Sequence, residues 1–228
     1  MLFAIIALVV ILGLAVLPQL WVRSVIARHA APRSDFPGTG GELARHLLDG
    51  MKLHGVRVEE TTLGDHYDPD AKTVRLLPQH MHGRSLSAVV IAAHEVGHAM
   101  QDASGYAPLA ARTKLARQAQ RVELIGTVVM LASPLMVLLL KAPALMAVQI
   151  FAGLLILSFT ILMHAVTLPV EFDASFKRAL PLLEAGEFIP PEDVPKAREL
   201  LRAAAFTYVA AAAMSLINIA RWLRVIRF

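Results

Sequence analysis

The chain has no cysteine among its 228 residues. This absence excludes a disulfide framework, and it also excludes a metal site built from thiolates. Any transition metal that the protein binds must therefore be held by histidine and carboxylate side chains.

A concentrated basic patch is also lacking, although the formal net charge is +4 and the isoelectric point is about 9.7. The lysines and arginines gather instead at the ends of apolar runs, where basic residues flank membrane segments. We therefore expect no nucleic-acid partner. We interpret the basic residues as membrane anchors, with the lipid bilayer as a partner.

Charged residues are too scarce for an ordinary soluble domain and too frequent for a bundle that lies wholly in a membrane. They make up 18% of the chain, hydrophobic residues make up 56%, and the mean hydropathy is +0.57. Such a composition predicts a protein that is partly in the bilayer and partly exposed to water.

Three apolar stretches are candidates for that bilayer part. Residues 2–22 carry no charge and are long enough, at about 1.5 Å per residue, to cross a hydrocarbon core of about 30 Å. Because no basic segment precedes them and no clear cleavage site follows, we prefer a retained helix to a cleaved signal peptide. Residues 124–168 are interrupted by Lys141 and Pro143, which predicts two helices in a hairpin. Residues 203–220 are of marginal length and either span or lie at the interface.

Residues 34–121 are the stretch in which a water-exposed domain is expected. Apolar residues at helical spacing predict a helix over 43–51. Alternating residues at 56–59 and 73–76, separated by turn-forming residues, predict a small sheet or hairpin. The run 86–100 has no proline and predicts a further helix.

That last helix carries the segment His94-Glu95-Val96-Gly97-His98. Its two imidazoles are four residues apart and face the same side of the helix, so that both can bind one Zn²⁺ at about 2.0–2.1 Å. The carboxylate of Glu95 is then placed to take a proton from a metal-activated water. The alternative is a partly buried helix with two incidental histidines. The apolar run 89–93 argues against it, because burial would leave these polar groups without partners unless a metal pairs them. We therefore expect one Zn²⁺ per chain.

A catalytic zinc requires a third protein ligand. The carboxylates Glu171 and Asp173 follow the predicted hairpin, and two crossings return the chain to the side that it left. The alternatives are that both are merely interfacial acids, or that His164, within the preceding apolar run, is the ligand.

Three segments resemble the YugP-type membrane zinc metallopeptidases of bacteria, namely 65–69, 92–101 and 169–175. The likeness covers nearly the whole chain, including the order of its apolar runs. It implies peptide-bond hydrolysis, with Glu171 as the third zinc ligand, in an arrangement that is also found in the more distantly similar HtpX-like and CAAX prenyl proteases.

The expected function is that of a membrane-embedded, zinc-dependent endopeptidase acting on peptide or protein substrates. Glu95 would accept a proton from water and return it to the leaving amine. His66 and Tyr67 are candidates by residue type for an oxyanion donor, and Asp173 for a group that orients a ligand. The strand from Thr73 to Leu77 either binds an extended substrate along its edge or is purely structural.

Two other functions remain open. The first is a membrane scaffold or chaperone that binds zinc without catalysis, for which a closed site with four protein ligands would be expected. The second is an intramembrane protease of the site-2 type. The segment Leu48-Asp49-Gly50 superficially resembles the second motif of such proteases. We favour it less, because this segment precedes the histidines and lies in a polar helix.

Taken together, these patterns predict a mainly α membrane protein with three to four transmembrane helices and a small α+β zincin-like cytoplasmic domain. Arginine and lysine positions predict that 23–121 and 169–202 lie on the cytoplasmic side of a membrane that the chain would cross several times. The resemblance implies that this is a bacterial inner membrane. The predicted segments are a first transmembrane helix at 1–23, the peptidase domain at 34–121, a transmembrane hairpin at 122–168, the segment with the third ligand at 169–202, and a fourth transmembrane or interfacial helix with a basic tail at 203–228.

Overall fold

The computed structural model describes residues 17–119 and 165–206, together with 121, 159, 162 and 163. Most of these residues are helical, and a small sheet of three strands accompanies the helices. In chain order the helices are α1 (17–28), α2 (Gly40–Gly50), α3 (Pro78–Met81), α4 (Leu86–Ala103), α5 (107–119), α6 (165–185) and α7 (194–206), and the strands are β1 (Arg57–Glu60), β2 (His66–Asp68) and β3 (Thr73–Leu76).

Helix α2 begins with a reciprocal cap. Thr39 Oγ1 accepts a hydrogen bond from the backbone N–H of Glu42 at 3.2 Å, and Glu42 Oε2 accepts one from the N–H of Thr39 at 2.7 Å. This capping box satisfies two amides that the first helical turn leaves without partners. The buried residues Leu47 and Leu48 belong to the hydrophobic core that α2 shares with α4. The predicted helix over 43–51 is therefore confirmed.

The strands form one sheet in the order β1-β3-β2. β1 runs parallel to β3, with Val58 opposite Val74, whereas β2 runs antiparallel to β3, with Tyr67 opposite Val74. The predicted sheet is confirmed, but its two predicted strands are not a hairpin. Because β3 is paired on both sides, the alternative that the strand from Thr73 to Leu77 offers an edge to substrate is wrong, and the alternative of a purely structural strand agrees with the sheet.

Helix α4 lies at the centre of the described residues. Its N-terminus is capped by Ser85, whose Oγ accepts a hydrogen bond from the N–H of Ala88 at 3.2 Å. Most of its 18 residues are buried, among them the polar side chains of His94, Glu95 and His98. A helix that is buried on nearly all faces is a core helix, so the predicted helix over 86–100 is confirmed.

The predicted fold class has to be corrected. Within the described ranges no helix is both long and apolar enough to cross a membrane, and the architecture is a mostly helical fold with a three-stranded sheet. The apolar residues of these helices form a shared core instead, which an average over the whole composition cannot reveal. The predicted spans at 2–22, 124–168 and 203–220 fall mostly outside the described residues, and the domain boundaries stay predictions.

Candidate metal centre

The structure brings the three predicted metal ligands together where α4 packs against α6. His94 and His98 lie one turn apart on α4, with ring centroids separated by 4.8 Å. Glu171 reaches them from α6, and its Oε2 lies 3.2 Å from His94 Nε2 and 3.4 Å from His98 Nε2. All three side chains are buried.

The separations between these atoms fit a zinc ion. Two ligand atoms at about 2.0–2.1 Å from a tetrahedral Zn²⁺ lie about 3.3 Å apart, and the two observed nitrogen–oxygen distances lie on either side of that value. No further His, Asp or Glu joins this group among the described residues. Two imidazoles and one carboxylate form the donor set of a catalytic zinc site, which keeps a position open for water.

Each imidazole is held through its other nitrogen. His98 Nδ1 lies 3.0 Å from Gln101 Oε1, and His94 Nδ1 lies 3.1 Å from Ser175 Oγ. Because an amide oxygen only accepts, His98 carries a hydrogen on Nδ1. Such bonds fix the tautomer and the ring orientation of a metal ligand.

Gln101 also links the two helices. Its Nε2 donates to the carbonyl oxygen of Val170 at 2.8 Å and to Asp173 Oδ1 at 2.9 Å. These two acceptors fix which end of the amide is the oxygen that faces His98. Asp173 in turn accepts from Arg178 Nε at 2.8 Å. Asp173 therefore contacts His98 only through Gln101, a position consistent with its predicted role in orienting a ligand.

The middle of α6 is π-helical over Asp173–Ala179, a feature that often occurs at functional sites. At its start the carbonyl of Ala174 approaches Gly97 so closely that a Cβ built on the glycine would lie 2.7 Å from the carbonyl oxygen. Glycine at this position therefore allows the two helices to approach closely enough for Glu171 and Ser175 to flank His94.

The buried carboxylates of the site differ in their pKa. Burial raises the pKa of Glu95 to about 7; the charges of Glu171 and Asp65 raise it further, and those of His94 and Arg112 oppose the shift. Burial would also raise the pKa of Glu171, but His98 and His94 hold it well below its usual value. Glu171 is thus ionised, as a metal ligand must be, while Glu95 can exchange a proton near neutral pH.

A comparison with protein families agrees with this geometry. The family described as "Putative neutral zinc metallopeptidase" matches residues 4–227. The chain belongs to this zinc metallopeptidase family. A relative from Bacillus subtilis (strain 168), named "Putative membrane protease YugP", is 37% identical over 218 residues, which cover 94% of this chain and 92% of the relative. No solved structure matches the chain.

The two residues that were predicted as candidate oxyanion donors, His66 and Tyr67, make hydrogen bonds elsewhere. Tyr67 donates its hydroxyl to Asp102 Oδ2 at 2.6 Å, and burial together with that bond raises the pKa of Tyr67. His66 Nδ1 lies 2.8 Å from the carbonyl oxygen of Gly64. Since a carbonyl only accepts, His66 donates from Nδ1, and this N–H is already used.

A cleft of about 390 Å³ opens beside the cluster. It is lined on one side by β2 and His98 and on the other by α5, including Arg112. Arg112 Nη2 lies 3.4 Å from Glu171 Oε1. Arg112 is not predicted from the sequence, because the basic residues around it are typical of a membrane flank. Gln101 is not predicted either, although its spacing of three residues from His98 could have indicated it.

Proposed function

We propose that the protein is a zinc-dependent endopeptidase with one Zn²⁺ per chain, held by His94, His98 and Glu171. The observation that carries the proposal is the convergence of these three side chains at separations that fit the ion. A zinc ion bound there supplies a Lewis acid and lowers the pKa of water.

Glu95 is the proposed general base. It is buried next to the cluster, and a carboxylate directly beside the ligand His94 can take a proton from water and return it to the leaving amine. Its carboxylate is not part of the metal-binding group, so proton transfer does not compete with coordination.

The free edge of β2 is the proposed binding site for the peptide chain. Among the described residues β2 pairs only with β3, and His66 to Asp68 line the same cleft as His98. An extended peptide that adds to such an edge is held by main-chain hydrogen bonds and passes the cluster without a requirement for either terminus. This arrangement favours cleavage within a chain and tolerance of sequence.

The two other functions are supported less well. A closed structural site needs a fourth protein ligand, whereas the described residues provide three. Asp49, from the segment that superficially resembles the second motif of site-2 proteases, bonds Arg45 at 2.8 Å and is half exposed. It takes no part in the cluster.

The decisive experiment measures zinc per chain and the digestion of an unfolded protein by wild type and by Glu95→Gln. We expect the variant to keep its zinc and to lose hydrolysis, because Glu95 transfers protons and does not coordinate. His94→Ala should lose both zinc and hydrolysis, since two protein ligands make a poor zinc site. Equal cleavage by wild type and Glu95→Gln would remove Glu95 from the reaction, and full zinc occupancy in His94→Ala would contradict the site.

We also propose that the enzyme acts at the bacterial cell membrane, which the printed name of the Bacillus relative supports. Cell fractionation tests this proposal, with the protein expected in the membrane pellet. Recovery of the protein in the high-speed supernatant would contradict it.

A further inference from the structure

Peptide hydrolysis places negative charge on the carbonyl oxygen as water adds to the carbonyl carbon. Enzymes lower the barrier with hydrogen-bond donors that are aimed at this oxygen before the reaction starts. In this chain Tyr67 donates its hydroxyl to Asp102, and His66 donates its Nδ1–H to the carbonyl oxygen of Gly64. The donor must therefore be sought elsewhere in the cleft.

Arg112 lies where such a donor is needed. Glu171 turns Oε2 towards the two imidazoles, and Arg112 Nη2 lies 3.4 Å from the other oxygen, Oε1. The guanidinium is therefore separated from the proposed metal position by a single carboxylate. About a quarter of its side chain is exposed, at 26%, and it lines the same cleft as His98 and β2.

The contact between Arg112 and Glu171 is a loose one. A charge-assisted hydrogen bond between such groups measures about 2.7–2.9 Å, whereas this pair is at 3.4 Å, and Glu171 Oε1 is buried without a hydrogen-bond partner. A guanidinium carries five N–H groups in one plane and stays protonated at every working pH. It can therefore keep its present partners, Glu171 among them, and donate to a further acceptor.

We infer that Arg112 is the oxyanion donor of this site, a catalytic residue that bonds the carbonyl oxygen of the scissile peptide. In the reaction, water oxygen bonds to the carbonyl carbon, the π electron pair moves to the carbonyl oxygen, and the water proton moves to Glu95. The electron pair on that oxygen then re-forms the carbonyl bond while the C–N bond breaks, the C–N pair goes to nitrogen, and Glu95 returns the proton there. Arg112 donates hydrogen bonds throughout and is not consumed. The inference rests on the proposed peptidase function.

The test compares Arg112→Met, Arg112→Lys and a control, Arg198→Met, on a fluorogenic peptide that the wild type cleaves. Arg198 is half exposed on α7 and pairs with Glu184 at 3.9 Å, so the control removes an arginine remote from the cluster. For Arg112→Met we expect kcat to fall about 100- to 1,000-fold, the typical loss of one oxyanion donor, with KM and zinc content little changed. Arg112→Lys should recover part of kcat, because it keeps the charge without the planar pair of donors.

A binding measurement separates this role from a purely structural one. A phosphinic peptide of the same sequence has a tetrahedral centre with an anionic oxygen and resembles the reacting state. It should bind Arg112→Met at least about 100-fold more weakly than wild type, since the lost donor acts on that oxygen. The uncleaved peptide should bind equally to Glu95→Gln with and without the Arg112→Met change.

Several outcomes would overturn the inference. If Arg112→Met cleaves as fast as wild type, Arg112 has no part in the reaction. If both Arg112 variants lose zinc, the residue serves to hold Glu171. Equal weakening of the phosphinic and uncleaved peptides would assign Arg112 to ground-state binding instead. These outcomes leave the peptidase function intact, whereas a zinc-loaded wild type that neither cleaves nor binds the phosphinic peptide would overturn both proposals.

Discussion

Gly97→Ala tests whether the distance between α4 and α6 sets the metal site. The added Cβ would lie 2.7 Å from the carbonyl oxygen of Ala174, whereas ordinary contact begins at 3.4 Å, so the helices must separate locally by the difference of about 0.7 Å. The opposing atom is backbone and cannot rotate away. Overpacking of this kind costs about 1–3 kcal/mol, while alanine in place of glycine favours the helix by about 1 kcal/mol. The expected net effect is a loss of zero to about 2 kcal/mol in the free energy of unfolding.

Zinc affinity is the more sensitive measurement of this change. Ala174 lies between Glu171 and Ser175, which contact opposite nitrogens of His94. A shift of the π-helical segment therefore disturbs both contacts, and such disturbances typically weaken metal binding about 10- to 100-fold. Competition with a chelator measures the affinity, and urea unfolding measures the stability.

Gly50→Ala is the matched control. Gly50 is the last residue of α2, and a Cβ built on it meets nothing within 4 Å. We expect unchanged zinc affinity and a stability equal to wild type or up to about 1 kcal/mol higher. If Gly97→Ala behaves like this control, the reasoning that the Ala174 carbonyl fixes the helix separation is refuted.

Three further predictions concern the cluster. Glu171→Ala should lose zinc, because it removes one of three ligands, whereas Asp173→Ala should retain zinc with a reduced affinity; the reverse pattern, measured by metal analysis, would show that the ligand is misassigned. Gln101→Leu should lower zinc affinity about 10- to 100-fold by leaving the Nδ1–H of His98 without its acceptor, and an unchanged affinity would contradict that role. In the zinc-free protein the pKa of Glu95 is raised from 4.5 to about 7, so the folded state binds the Glu95 proton more tightly than the unfolded state does. The contribution of Glu95 to the free energy of unfolding therefore falls by about 3 kcal/mol as pH rises from 4 to 8. Glu95→Gln should lack that decline in urea unfolding, and a wild type and variant with parallel pH profiles would contradict the assigned pKa.

Local spacing was enough to predict the part of the site that lies on one helix. His94 and His98 share a face because they are four residues apart, and the Pro-free run around them predicted α4 within a few residues of its observed bounds. Helix α2 was predicted for the same reason. These features depend on periodicity alone, which a single sequence displays directly.

The pairing of strands that are distant in sequence was harder to predict from the sequence. The alternating segments 56–59 and 73–76 were predicted as strands. Their parallel pairing was not predicted, because it depends on β2, a strand of three residues that lies between them in the chain and pairs antiparallel with β3. A strand so short has too few residues to show alternation. From the sequence, β3 was the only strand considered as a substrate edge, and only as one of two alternatives, whereas β2 is the strand that lines the cleft.

The two oxygens of Glu171 show why Arg112 escaped the sequence analysis. Ligand counting and family resemblance pointed to a carboxylate opposite the histidines, and Oε2 meets that description. A metal ligand at this position requires only one of the two oxygens of Glu171. The other oxygen faces α5, and which arginine of a basic run meets it depends on the rotation of α5 against α6. That rotation is set by packing between helices that are distant in sequence, so the partner of Oε1 could be identified only from the folded chain.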